Sequence, residues 1–360
     1  MTESLKKKTA SSLIWNALDK AGFQLVALIV GIITARLLSP RDFGLIGALV
    51  VFTLLSNILV ESGFTSALIR RKKNTAAEYT AILYFNVLLS AIIYLLLFIS
   101  APKIADFFKM PELCSLARFL FLSIIINSLG IVQNIILTKE LAFKLTSLAN
   151  ITSAIVSGII TIILVLKGFE YWALAWQLLL QSAVRVVFLW VFSSWKFSPK
   201  ADFKVLKEVF SFSFFLLITS LITTLVKNAY NILIGRFFPI QQLGYYFQAN
   251  KFQQIPSNVI SMTMTGVAYP VFSKLNGEPD RQVLYLRKIM RITSFLIFPV
   301  MIGMLSITNE LVTIVLTDKW LPAVPYFQLL VIAAIVYPFH MLNMNFIIVK
   351  GHSKMSFCLE

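Results

Sequence analysis

Residues 79–101 read YTAILYFNVLLSAIIYLLLFISA, twenty-three positions with no charged side chain and one amide, Asn86. A helix needs about 20 predominantly apolar residues to cross a hydrocarbon core. An open sheet in lipid would leave backbone amides unpaired, so the element expected here is a membrane-crossing helix. Outward from this stretch the pattern repeats at 12–38, 43–69, 113–138, 146–166, 171–192, 209–238, 243–272, 289–308 and 324–349, which with the first makes ten expected spans. The fold class that follows is all-α, a polytopic membrane helical bundle.

Composition agrees, since 58% of the 360 residues are hydrophobic, 13% are charged and the mean hydropathy is +0.82. Soluble domains use about 45–50% apolar residues. A net charge of +16 raises nucleic-acid binding as an alternative, because clustered Lys and Arg neutralise phosphates. The location of the charge argues against it: the basic residues sit in the short gaps between apolar runs. On the first face these gaps hold twenty of them, beginning with Lys6, Lys7 and Lys8, and on the other face eight. Cytoplasmic loops carry the basic excess, so the expected orientation puts the N-terminus inside. Residues 1–10 resemble the start of a signal peptide. The run that follows is too long, holds Asn16, Asp19, Lys20 and Gln24, and lacks a small-residue cleavage site, so a retained first helix is expected.

The chain echoes itself at an offset of 200 residues. Thr34-Ala35-Arg36-Leu37-Leu38 leads to Phe43-Gly44, and Ile234-Gly235-Arg236-Phe237-Phe238 leads to Leu243-Gly244. Internal repeats are common in secondary transporters, whose substrate sites lie between the repeats. The expected organisation is two pseudo-repeated lobes: an N-terminal six-helix lobe over 1–194, a cytoplasmic linker over 195–208 and an incomplete second lobe over 209–360. A second lobe matching the first would need more helices than fit, so a fragment of a longer protein is expected.

Ionisable groups inside spans are costly and usually face a bundle interior or a water-filled cavity. Asn16, Lys20 and Gln24 recur every fourth residue, as do Gln177, Gln181 and Arg185, and Asn57 shares a helix face with Glu61. Lys227 lies beside Tyr230 and Asn231, and Asn250, Lys251, Gln253 and Gln254 crowd the stretch before Pro256. Lys20, Arg185, Lys227 and Lys251 outnumber Asp19 and Glu61, leaving the interior net cationic. An anionic substrate fits, because phosphate accepts charge-assisted bonds from Lys and Arg. The substrate-binding candidates are therefore Lys20, Arg185, Lys227, Asn231, Lys251 and Gln254. Asp19 and Glu61 are candidates for a coupling proton or Na⁺, or alternatively counter-ions to the bases. Pro256, Pro270, Pro299 and Pro338 fall where they can bend helices.

An enzyme is not expected. His340 and His352 have no Cys, Asp or Glu at ligand spacing, Cys114 and Cys358 form neither a disulfide framework nor a zinc pair, and no Gly-rich phosphate loop is present. No metal or cofactor is expected.

The segments ARLLSPRDFG at 35–44 and ESGFTSALIRRK at 61–72, with LIGRF at 233–237, LGYY at 243–246, YPVFSKL at 269–275 and DKWLPA at 318–323, resemble bacterial polysaccharide exporters of the Wzx type. These are the lipopolysaccharide and colanic acid exporter branch of the multidrug/oligosaccharidyl-lipid/polysaccharide (MOP) superfamily. The resemblance covers essentially the entire chain. It implies fourteen helices in two six-helix lobes plus a terminal pair, and outward flipping of a polyprenyl-pyrophosphate-linked oligosaccharide. Lys227 and Lys251 fall where the family places basic residues. Membrane lipids, a polysaccharide polymerase and glycosyltransferases are the implied partners, and nucleic acid is not. Two other functions compete: an ion-coupled exporter of small molecules in the same superfamily, for which a more acidic interior would be expected, and a scaffold for glycan assembly.

Overall fold

The computed structural model describes residues 3–61, 64–71, 74–195, 197–275 and 278–349, and the side chains of 3–14 and 16–18 are not described within the first helix. Among the residues singled out by sequence, the side chains of Lys6, Lys7, Lys8, Asn16 and Pro270 and all of His352 and Cys358 therefore lie outside the description. The helices are α1 (Glu3–Leu37), α2 (Pro40–Glu61), α3 (Phe64–Arg70), α4 (Ala76–Phe108), α5 (Glu112–Leu120), α6 (Leu122–Lys139), α7 (Phe143–Leu166), α8 (Tyr171–Phe192), α9 (Lys204–Phe237), α10 (Ile240–Lys274), α11 (Pro279–Ser306), α12 (Thr308–Leu316) and α13 (Val324–Val349), with a 3₁₀ turn at Asp318–Ala323 before the last. Among the described residues every regular element is helical.

The surface is inverted relative to a soluble protein. Ile99 on α4 is 72% exposed and Phe295 on α11 78%, whereas Asn86, Ser90, Ser128 and Gln133 are fully buried. Water would reject such apolar faces, and hydrocarbon accepts them. Nine helical segments among the described residues are long and apolar enough to span a bilayer, with α5 and α6 counted as one. The chain is a multi-pass membrane protein. The expected span 243–272 is the exception. It lies within α10, a continuous helix of 35 residues, about 52 Å long at 1.5 Å per residue. Gln248, Asn250, Lys251, Gln253 and Gln254 lower its hydropathy, so by composition the expected ten becomes nine.

Polar backbone groups inside lipid need partners, and the helix ends supply them locally. At the start of α2, Ser39 N and Oγ donate to Asp42 Oδ2 at 2.8 and 2.7 Å, and Pro40 occupies the first turn, where its missing N–H is no loss. At the start of α4, Thr75 and Glu78 form a capping box: Thr75 N donates to Glu78 Oε2 at 2.7 Å and Glu78 N to Thr75 Oγ1 at 3.2 Å. Further along α4, Pro102 removes the donor that would serve the carbonyl four residues back, at Phe98. Arg118 of α5 compensates. Its Nε lies 3.5 Å from the Phe98 oxygen, and its guanidinium stacks 4.4 Å from the centre of the Phe98 ring.

By contacts the chain divides into two compact units, Met1–Leu243 and Gly244–Glu360. In the first, α7 packs between α1 and α8. Small residues let these helices approach closely, as is usual in membranes: a Cβ on Gly158 would lie 2.5 Å from Val30 Cγ2. A second core joins α3, α4, α6 and α9 through Phe64, Leu68, Ile82, Val132, Ile135, Val205 and Val209. Trp195 and residues 197–203 run along this core, with Thr80 Oγ1 donating to the Ser198 carbonyl at 2.8 Å and Trp195 edge-on to Tyr79. In the second unit, Ala268 and Phe272 of α10 pack on Ile289 of α11 and Leu342 of α13. Gln282 Nε2 donates to the Phe272 carbonyl at 3.0 Å.

The echo noted in the sequence reappears in element boundaries. The first helix ends at Leu37 and the next starts at Pro40, while α9 ends at Phe237 and α10 starts at Ile240, the same positions 200 residues on. Within the first unit these two corners meet. A Cβ on Gly44 would stand 2.1 Å from the Ile240 carbonyl oxygen, a backbone atom that no rotamer change can move. Gly44→Ala is therefore expected to cost about 3 kcal/mol, the upper end for overpacking. Gly130→Ala faces only Val186 and Leu189 side chains and is expected to cost less. Melting temperatures of the two purified variants in detergent check the ranking, and equal stability would refute it.

Candidate substrate site

The period-four stripe on α8 turns Gln181 and Arg185 toward α7, and α1 turns Asp19 and Lys20 toward the same place. A polar relay connects these helices. Asn150 of α7 donates through Nδ2 to both carboxylate oxygens of Asp19, at 3.2 and 3.0 Å. Its Oδ1 accepts from Arg185 Nε at 2.8 Å, and a second guanidinium nitrogen of Arg185 donates to Asn134 Oδ1 of α6 at 3.4 Å. One amide thus separates a carboxylate from a guanidinium that do not touch. Such chains polarise each bond and are costly to break in a medium of low dielectric.

Two cavities flank Arg185. The smaller, of about 260 Å³, is bounded by Asp19, Lys20, Phe23, Asn150, Ser153, Gln181 and Arg185. The larger, of about 290 Å³, is bounded by Val50, Thr53, Leu54, Asn57, Leu120, Ser123, Asn127, Leu178, Gln181, Ser182 and Arg185. In it Asn127 Nδ2 lies 3.4 Å from Asn57 Oδ1. Gln181 and Arg185 belong to both walls.

The structure thus brings together Asp19, Lys20 and Arg185. Glu61 lies within electrostatic range of Arg185, and the remaining candidates lie elsewhere. Glu61 is exposed at the end of α2. Lys227 is exposed on α9 in the first unit, while Asn231, one turn on, is buried and donates to Asn228 Oδ1 at 3.1 Å. In the second unit Lys251 is exposed on α10, and the exposed Gln254 donates to Asn250 Oδ1 at 3.1 Å.

Sequence reading passed over Asn127, Asn134 and Asn150, the neutral members of the site. Their signal was present but quiet. Asn127 and Asn134 are two turns apart on one face of α6, and Asn150 continues the stripe of Ser147, Ser153 and Ser157 on α7.

Replacing Asn150 by Leu strands Asp19 and takes from Arg185 its Nε partner, leaving it the bond to Asn134. Unpartnered buried polar groups cost about 1–3 kcal/mol each, so a clear fall in melting temperature is expected. Asp19→Leu made in the Asn150→Leu background should then add little, because the bonds it removes are already gone. Full additivity of the two would show that the relay does not operate.

Residues 33–325 match the family described as polysaccharide biosynthesis protein. The teichuronic acid biosynthesis protein TuaB of Bacillus subtilis is 28% identical over 98% of this chain and 74% of its own length. The lipopolysaccharide biosynthesis protein WzxC of Escherichia coli is 24% identical over 92% of this chain and 68% of its own length. Among solved structures, a MOP superfamily transporter from Pyrococcus furiosus superposes with a TM-score of 0.64 at 16% identity, over 98% of this chain and 84% of that one. Nearly the whole chain therefore follows the helical plan of that transporter, and with the family match spanning most of its length it belongs to the polysaccharide biosynthesis protein family.

Proposed function

We propose that the chain is a transporter rather than an enzyme. Its substrate is a polyprenyl-pyrophosphate-linked oligosaccharide, carried from the cytoplasmic to the outer leaflet of the bacterial inner membrane by alternating access. The observation that carries this reading is a charged, amide-lined cleft enclosed by helices whose other faces are apolar and exposed, in a chain of the polysaccharide biosynthesis family. An intramembrane charge held inside a bundle points to passage of a polar solute. The biosynthetic roles in the names of TuaB and WzxC agree with a glycan as cargo.

Within this reading Lys227 and Lys251 serve the pyrophosphate. Both are exposed, and among the described residues neither has an ion pair. An ammonium in that condition gains most from a ligand that brings negative charge. Lys20 and Arg185 belong to the same cationic set, and Arg185 already has a counter-ion reached through Asn150. Asp19 and Glu61 are the carboxylates on which a coupling proton or Na⁺ would act. The N-terminus is cytoplasmic, by the basic excess of the loops on that side, and a polysaccharide polymerase and glycosyltransferases act on the same glycan.

Lys227→Ala and Lys251→Ala together are expected to lower surface polysaccharide by at least about tenfold, as loss of charge-assisted bonds worth about 1.5 kcal/mol or more implies. Membrane insertion should be unchanged and lipid-linked glycan should accumulate inside. Undiminished export in the double variant overturns the role of the two lysines. For orientation, an N-terminal epitope tag should become reactive in spheroplasts only after permeabilisation, and labelling of intact spheroplasts would reverse the topology.

A further inference from the structure

The larger cavity beside Arg185 has a chemistry that pyrophosphate does not explain. Its wall carries one full charge, and that charge is answered by Asp19 through Asn150. A phosphoryl group calls for several uncompensated cationic donors, and this wall does not hold them. It holds amides and hydroxyls, the groups that both donate and accept. Sugar hydroxyls make the same double demand.

Three amides are free enough to meet it. Among the described residues the Gln181 side chain has no hydrogen-bond partner, and Asn57 and Asn127 share one long contact of 3.4 Å. All three are half-buried rather than sealed, so the cavity communicates with the surface. Polar groups lining such a cavity find their partners in water or in a ligand that displaces it. The remaining wall, Val50, Leu54, Leu120 and Leu178, is aliphatic and suits the C–H face of a ring. A volume of about 290 Å³ stands at the lower end of ligand pockets, a size for one ring rather than a chain of them.

We propose that this cavity is a saccharide subsite that takes one pyranose residue of the glycan, with Asn57, Asn127 and Gln181 bonding ring hydroxyls and Arg185 bonding a hydroxyl or carboxylate at the ring edge. The proposal rests on the reading of the chain as a carrier of lipid-linked glycan.

The test uses the purified full chain in a detergent without a sugar headgroup, since a glycoside detergent would itself compete. Methyl glycosides of glucose, galactose and glucuronic acid, at tens of millimolar, are compared with mannitol and inorganic pyrophosphate for their effect on melting temperature. At least one glycoside should raise it by a few degrees, as binding to the folded state alone requires, with mannitol inert and any effect of pyrophosphate unchanged by Arg185→Gln. Gln181→Met, which breaks no internal hydrogen bond, should keep the ligand-free melting temperature and lose the glycoside shift, and Asn127→Leu should lose the shift as well. The subsite is overturned by any of three results: no glycoside shift in the unsubstituted protein, a shift that survives both substitutions, or equal protection by mannitol. Protection by pyrophosphate that Arg185→Gln abolishes also overturns it, in favour of an anion site. Binding of bare undecaprenyl pyrophosphate in proteoliposomes reports on the carrier reading separately. Its binding by the unsubstituted protein without any glycoside protection removes the subsite alone, and its absence from the unsubstituted protein removes the carrier reading.

Discussion

A hydrogen-bonding group surrounded by hydrocarbon must find its partner inside the protein, and most of what is distinctive in this chain follows from that constraint. It accounts for the capping box at Thr75 and Glu78 and for the Ser39–Asp42 cap. It also accounts for the pairing of Ser90 with Ser128 between α4 and α6. Where Pro102 breaks the ladder, the freed Phe98 carbonyl faces Arg118 rather than lipid. The same requirement assembles the candidate site, because neither Asp19 nor Arg185 would be tolerated between α1 and α8 without the amide of Asn150 between them.

The constraint also sorts the intramembrane bases into two kinds. Arg185 is anchored by two asparagines and electrically answered. Lys227 and Lys251 are exposed and hold no ion pair among the described residues. A fixed guanidinium that is already compensated orients and selects, while a free ammonium on a flexible stem attracts charge. Counting bases against acids along the sequence treats all four alike. The structure separates them by what each one touches.

How much was legible beforehand follows the same line. Spans such as α4 and α7 could be read from hydropathy because lipid acts on every exposed side chain of a helix at once. The 35-residue α10 defied that reading, since its amides and Lys251 dilute the apolar average over a helix that is nonetheless continuous. Within the site, the Gln181–Arg185 stripe was visible because period four is a property of a single helix. Asn150 was not, because its importance comes from lying between two other helices, and no spacing within α7 encodes what α1 and α8 present to it. Asn231 went the other way: one turn along the same side of α9 from Lys227, it is buried and spent on Asn228.

The tips of α4 and α9 are fastened to one another. The Arg236 guanidinium stacks over the Phe107 ring and bonds its carbonyl, and Gly235 lies against the Phe108 ring. A stacked and bonded guanidinium resists both sliding and twisting, so this corner behaves as a weld. Strain from any tilting of α9 then travels into α4, and the nearest weak point in that shaft is Pro102, five residues before the weld, where a rung of the backbone ladder is missing. At that proline the vacated carbonyl faces Arg118 of α5, so a bend in α4 there would also change the contact between α4 and α5.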